Sequence, residues 1–151
     1  MTGNADTSKV TMIEISTEKT RIDVDRVHGY LCHDSYWAKG IPRAVVERSI
    51  EHSLPFAAYD GEELVAFARV ITDYAVFAYI ADVFVIPTHR GRGISKQLMT
   101  AIRSHHELQS LRRWSLVTSD AHGLYRQFGF HELAHQERHM EDVTANPYAS
   151  G

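Results

Sequence analysis

The sequence predicts an α+β domain, a mixed and mostly antiparallel sheet of about six to seven strands flanked by about four helices. Three observations carry that expectation. β-Branched and aromatic runs crowd the middle of the chain, separated by turn residues. Helical periodicity precedes this run of strands and follows it. The run Val83-Phe84-Val85-Ile86 stops at Pro87, and a basic, glycine-punctuated turn then leads directly into a helix.

The elements follow in order. Residues 1–8 and 145–151 read as loose tails of a single domain spanning 1–151, and the alternation over 10–15 suits a first strand. Asp23 is placed to cap a helix carrying Val24, Val27 and Leu31 on one side. Pro42 suits the first turn of a second helix, with Val45, Val46 and Ile50 inward. Residues 54–59 run into Asp60-Gly61, a hairpin signal, and 64–71 pair back. A turn at Thr72-Asp73 leads into a strand over 75–85. After the glycine turn, Ile94, Leu98, Ala101 and Ile102 share a helix face. A strand over 114–118 follows, then a short helix capped by Asp120 and running through Tyr125. Gly129 stops that helix, and one or two strands are expected over 130–143.

Composition excludes several classes. A chain of 151 residues suits one domain that buries about two-thirds of its unfolded surface. No apolar run reaches the length of a membrane span, and the polar start does not read as a signal peptide. With Cys32 as the sole cysteine no internal disulfide can form, and a cytoplasmic location is expected. A formal charge of −3 argues against nucleic acid as the main partner.

The turn Arg90-Gly91-Arg92-Gly93-Ile94-Ser95 has the chemistry of an anion site. Unpaired N–H groups and the dipole at a helix start favour phosphate, glycine permits positive φ, and the arginines add charge. A phosphate-binding Walker loop would need Lys-Ser/Thr directly after its last glycine, where Ile94-Ser95 stand. A dinucleotide fingerprint would need three glycines early in a βαβ unit.

Two segments together carry a family resemblance. Val85-x-Pro87-x-x-Arg90-Gly91-Arg92-Gly93-Ile94 and Ala121-x-x-Leu124-Tyr125-Arg126-Gln127-Phe128-Gly129-Phe130 resemble the GNAT family, the GCN5-related N-acetyltransferases. The specific part of the resemblance spans about 81–130, and Ser95 stands where the family usually has Gly or Ala. The resemblance implies the GNAT fold, acetyl-CoA as acetyl donor and direct attack by a primary amine in a ternary complex. It also implies that the pantetheine arm lies along the strand ending at Val85, with main-chain N–H near Phe84 or Val85 polarising the acetyl carbonyl. Cofactor contacts are thus expected from Phe84, Val85, Arg90, Gly91, Arg92, Gly93, Ile94 and Ser95. A homodimer is compatible with the resemblance.

Tyr125, in Tyr-x-x-x-Gly-Phe, matches the family's general acid; otherwise it is a core tyrosine with a satisfied hydroxyl. Full proton transfer from a free phenol to a thiolate is uphill by roughly 2 kcal/mol, so a hydrogen bond to the leaving sulfur is the expected role. Asp82 stands where many family members carry a base or water anchor; otherwise it is an ordinary strand acid. Asp120, His122, His28 and His33 are other candidate bases. Tyr36 and Trp37, in a loop between helices, either pack on the core or wall the acceptor pocket, with Asp73, Tyr79 and Asp82 as polar contacts.

Other readings stay open. His131, His135 and His139 would suit one ion on a helix, but Phe130-His131-Glu132-Leu133 after Gly129 favours a strand, where neighbours are about 13 Å apart, so no metal is expected. Cys32 has no evident base to make it a nucleophile. A CoA-binding regulatory or structural module without catalysis is an alternative, as is acetylation of a protein or peptide amine. A small-molecule amine is the default acceptor, because no peptide-docking tract is visible.

Overall fold

The apolar runs become one sheet in the computed structural model, which describes residues 12–145 and 147–148. Its strands lie in sequence order: β1 (Ile13–Ser16), β2 (Leu54–Asp60), β3 (Glu63–Thr72), β4 (Phe77–Val85) and β5 (Arg113–Leu116). The first four are antiparallel, and β5 joins β4 in parallel. A parallel neighbour needs a crossover, and helix α3 (Ile94–Ser104) supplies it. Every residue of β2 from Leu54 to Tyr59 is buried, so this strand is covered on both faces. The cover comes from α2 (Arg43–Glu51), which packs on β2, and from α3, which reaches β1 through β4.

Helix starts follow local chemistry. Asp23 Oδ1 accepts from the Arg26 N–H at 3.1 Å and opens α1 (Val24–Gly29), which runs on as a wider turn over Tyr30–Asp34. Pro42 sits just ahead of α2. The fourth helix, α4 (His122–Arg126), departs from expectation at its start. Asp120 does not cap it; Thr118 Oγ1 accepts from the Ala121 N–H at 3.0 Å instead.

The sheet is smaller than expected: five strands among the described residues. Residues 130–143 form no strand, only a 3₁₀ turn at Gln136–Arg138. The reason is visible at Gly129, whose φ of +90° turns the chain back, so the Phe130 N–H donates to Tyr125 O at 3.2 Å. Beyond it the chain is polar and exposed, with no alternating apolar face to bury. The first strand begins at Ile13, and residues 10–11 lie outside the described residues, as does the expected 1–8 tail. Within the expected C-terminal tail, Tyr148 packs partly buried against the core and beside Gly40.

Asp73 is a turn residue. Its Oδ1 accepts from the N–H groups of Ala75, Val76 and Phe77 at 2.9, 2.9 and 3.1 Å, folding the β3–β4 connection. Those donors, Val76 first, hold its carboxyl below the usual carboxylate range. A depressed folded pKa contributes stability above the unfolded value and loses it as pH falls through the folded one. Asp73→Ala should therefore melt below wild type at pH 7, with the gap between the two midpoints closing as pH falls through the depressed folded pKa of Asp73. Thermal melts across pH check this; a constant gap would separate Asp73 ionisation from stability.

Candidate active site

A bulge in β4 builds the site. Arg69 lies opposite Ala81 and Phe67 opposite Phe84, so Asp82 and Val83 together face Ala68. Asp82 takes φ +55°, an uncommon conformation for a residue with a side chain. Arg69 Nε donates to Asp82 Oδ2 at 2.6 Å, and Trp37 Nε1 donates to Oδ1 at 3.0 Å. The ion pair is mostly withdrawn from solvent, with side chains 17% and 11% exposed.

Pairing between β4 and β5 ends at Ile80–Leu116, just before the bulge. Beyond it β4 has β3 on one side only. The Ile86 N–H donates to Val65 O at 2.9 Å, so by strand alternation the main chain of Val85 faces the other, open edge. Phe84 turns its main chain toward β3 and its buried ring onto Tyr30, stacked at 4.1 Å. Of these two residues, Val85 is the one with an N–H to offer.

The gap between the strands is a cleft of about 360 Å³. Tyr36, Trp37, Tyr79, Asp82 and Tyr125 all line it, so sequence candidates from three separate regions meet there. Tyr36 and Trp37 are 57% and 41% exposed and meet edge to face at 5.0 Å, as a wall rather than as core. The Tyr36 hydroxyl accepts from the Ser119 N–H at 3.2 Å. Asp73 does not join them. Arg69 does, and sequence reasoning missed it; a lone arginine inside an apolar strand was the available signal.

Tyr125 is 7% exposed; its hydroxyl has no partner among the described residues and is not itself buried, so it opens onto the cleft. Burial first, and then the neighbouring Asp120 carboxylate, push its phenol up to about 12. It stays protonated at neutral pH and so keeps a proton to donate. Burial and then the Asp82 charge also raise the Tyr79 phenol.

The glycine turn stands past the end of β4. Gly91 and Gly93 have φ +77° and +76°, while a Cβ at either would meet nothing within 4 Å. Conformation rather than clearance requires glycine here. No backbone hydrogen bond ties the N–H groups of residues 91–96 to the described chain. Exposed Arg92 and Lys96 stand beside this row of donors. Ile94 is buried and anchors α3 from below. This donor set fits a diphosphate.

Arg90 is turned inward. Its Nε donates to Val85 O at 2.9 Å and its Nη2 to the Tyr30 hydroxyl at 2.8 Å. Buried His89 adds a second tie, pairing Nε2 with Asp60 Oδ2 and Nδ1 with Thr88 Oγ1, each at 2.8 Å. Both fix the turn before anything binds.

A family profile for the acetyltransferase (GNAT) domain matches residues 51–132, more than half of the chain. The chain belongs to the GNAT family. A GNAT-family protein from Xanthomonas campestris pv. campestris, known from its crystal structure, is 49% identical to it. The alignment covers 91% of this chain and 97% of that one, with a TM-score of 0.90. Two more distant structures share the GNAT fold. A Clostridium acetobutylicum acetyltransferase homologue, crystallised with acetyl-CoA, is 16% identical over 89% of this chain and 96% of its own, at TM-score 0.65. The aminoglycoside N-acetyltransferase AAC(6')-Iy, in complex with CoA, is 19% identical over 91% and 93%, at TM-score 0.58. GNAT relatives thus bind acetyl-CoA or CoA. Among the described residues no helix is long and apolar enough to cross a membrane, and no cluster of His, Cys, Asp or Glu has metal-holding geometry.

In this GNAT protein, Gly93→Ala should weaken CoA binding about tenfold, because forcing a Cβ into the left-handed region costs roughly 1–2 kcal/mol. Calorimetric titration with CoA measures it, with circular dichroism to confirm the fold. Equal affinity would show that the turn does not need that conformation.

Proposed function

We propose that the protein transfers the acetyl group of acetyl-CoA to a primary amine of a small molecule. One observation carries this reading: the Tyr125 ring is buried while its hydroxyl reaches a cleft shared with the open edge of β4, beyond which stands the glycine turn. Bound acetyl-CoA supplies a thioester whose carbonyl carbon takes the amine lone pair and whose sulfur leaves with the C–S electron pair. The N–H groups of residues 91–96 hold the diphosphate, and the main chain near Val85 polarises the acetyl oxygen.

Tyr125 donates a hydrogen bond that strengthens as charge gathers on sulfur. It keeps its proton: with the phenol near 12 and a thiol near 8.5, transfer would be uphill by about 5 kcal/mol. Asp82 acts as an anchor rather than as a free base, since Arg69 and Trp37 occupy its two oxygens. The amine's proton leaves through water in the open cleft, beside Asp82 and Tyr79. Tyr36 and Trp37 wall the acceptor. The cleft's size supports a small molecule, as does the aminoglycoside acceptor in the name of one relative of this fold.

Tyr125→Phe should lower kcat about 10²-fold with the KM for acetyl-CoA unchanged, read from thiol release against grouped amines. Unchanged turnover at saturating acetyl-CoA would remove Tyr125 from the chemistry. Trp37→Ala should raise the KM for the acceptor about tenfold and leave that for acetyl-CoA within about twofold. Equal rises in both would assign Trp37 to folding rather than recognition.

A further inference from the structure

Four arginines at the foot of β5 have no part in this chemistry. A groove of about 630 Å³ lies between the end of α3, the start of β5 and the chain after Gly129. Arg103, Arg112, Arg113 and Arg138 line it together with His131, His135 and His139, of which His135 meets the Glu137 carboxylate at 3.4 Å. Among the described residues none of the four arginines meets a carboxylate. Glu132 is the one carboxylate in the lining, and Arg126 already holds it. Such a concentration of positive charge runs against the chain's net −3.

Arg103 is the informative member. Its guanidinium lies over the Trp114 ring at 4.7 Å and the Phe130 ring at 5.2 Å. Partial burial lowers its pKa, so its charge has lost hydration without gaining an ionic partner. The negative pole at the end of α3 explains one arginine there, but not Arg112, Arg113 and Arg138 on other segments. The groove lies apart from the glycine turn, since α3 sets Arg103 about 14 Å from Ile94.

The geometry points to a second binding site, one that takes a small polyanion with clustered phosphate or carboxylate groups. Forked guanidinium donors match both oxyanions. The volume is that of a small-molecule pocket, not of a surface that tracks a nucleic-acid backbone.

The test is calorimetric titration of the full chain, presaturated with CoA so that the glycine turn is filled. Inorganic tripolyphosphate and citrate are the probes, at about 50 mM salt. At least one should bind saturably with one-to-one stoichiometry, and the stronger of the two identifies the oxyanion. Arg113→Glu combined with Arg138→Glu should weaken it about tenfold or more, and Arg138→Gln alone about threefold. Both side chains are exposed, and the single variant gives a second reading should the pair fail to fold. Titrated without CoA, Gly93→Ala should leave probe binding intact. No saturable binding of either probe, or equal affinity in the arginine variants, overturns the proposal. So does loss of probe binding in Gly93→Ala, which would place the anion in the glycine turn and leave the acetyl-transfer reading standing.

Discussion

The contact between Arg69 and Asp82 is the constraint on which the site depends. Holding a residue with a side chain at positive φ costs on the order of 1–2 kcal/mol, and a sheet would ordinarily avoid it. A short, partly buried, charge-assisted bond offsets that cost, and a second from Trp37 completes the carboxylate's partners. With the bulge fixed, β4 leaves β5 after Ile80, and the strand edge between them stays bare. The cleft, the open main chain at Val85 and the wall of aromatic rings all follow from that separation.

The sequence was most legible where local chemistry alone decides conformation. Two glycines with positive φ, the Asp60-Gly61 turn and the Asp23 cap each need only their neighbours, and each stands where the residues placed it. Tyr125 and Asp82 could be named from motif, and Tyr36 and Trp37 from being two large rings in a loop between helices. What could not be read was anything set by pairing register. An extra residue in β4 leaves no mark on an apolar run, so the bulge was invisible, and Arg69 with it. The failure over 130–143 has the same origin. Gly129-Phe130 reads equally well as a strand beginning or a helix ending, and only the Phe130 N–H returning to Tyr125 O decides. Asp73 looked close to the site along the sequence, yet the length of β4 carries it to the other end of the strand.

Tyr30 ties the two halves of the site together. Its ring stacks on Phe84 and its hydroxyl receives Arg90, while six positions later Tyr36 begins the aromatic wall of the cleft. The wide turn Tyr30–Asp34 spans most of the stretch between. Composition in that stretch is free to drift, but its residue count is not. One residue gained or lost would rotate the aromatic wall about the helix axis while Arg90 stayed clamped, so homologues that keep this architecture should preserve the spacing even where they share no letters across it.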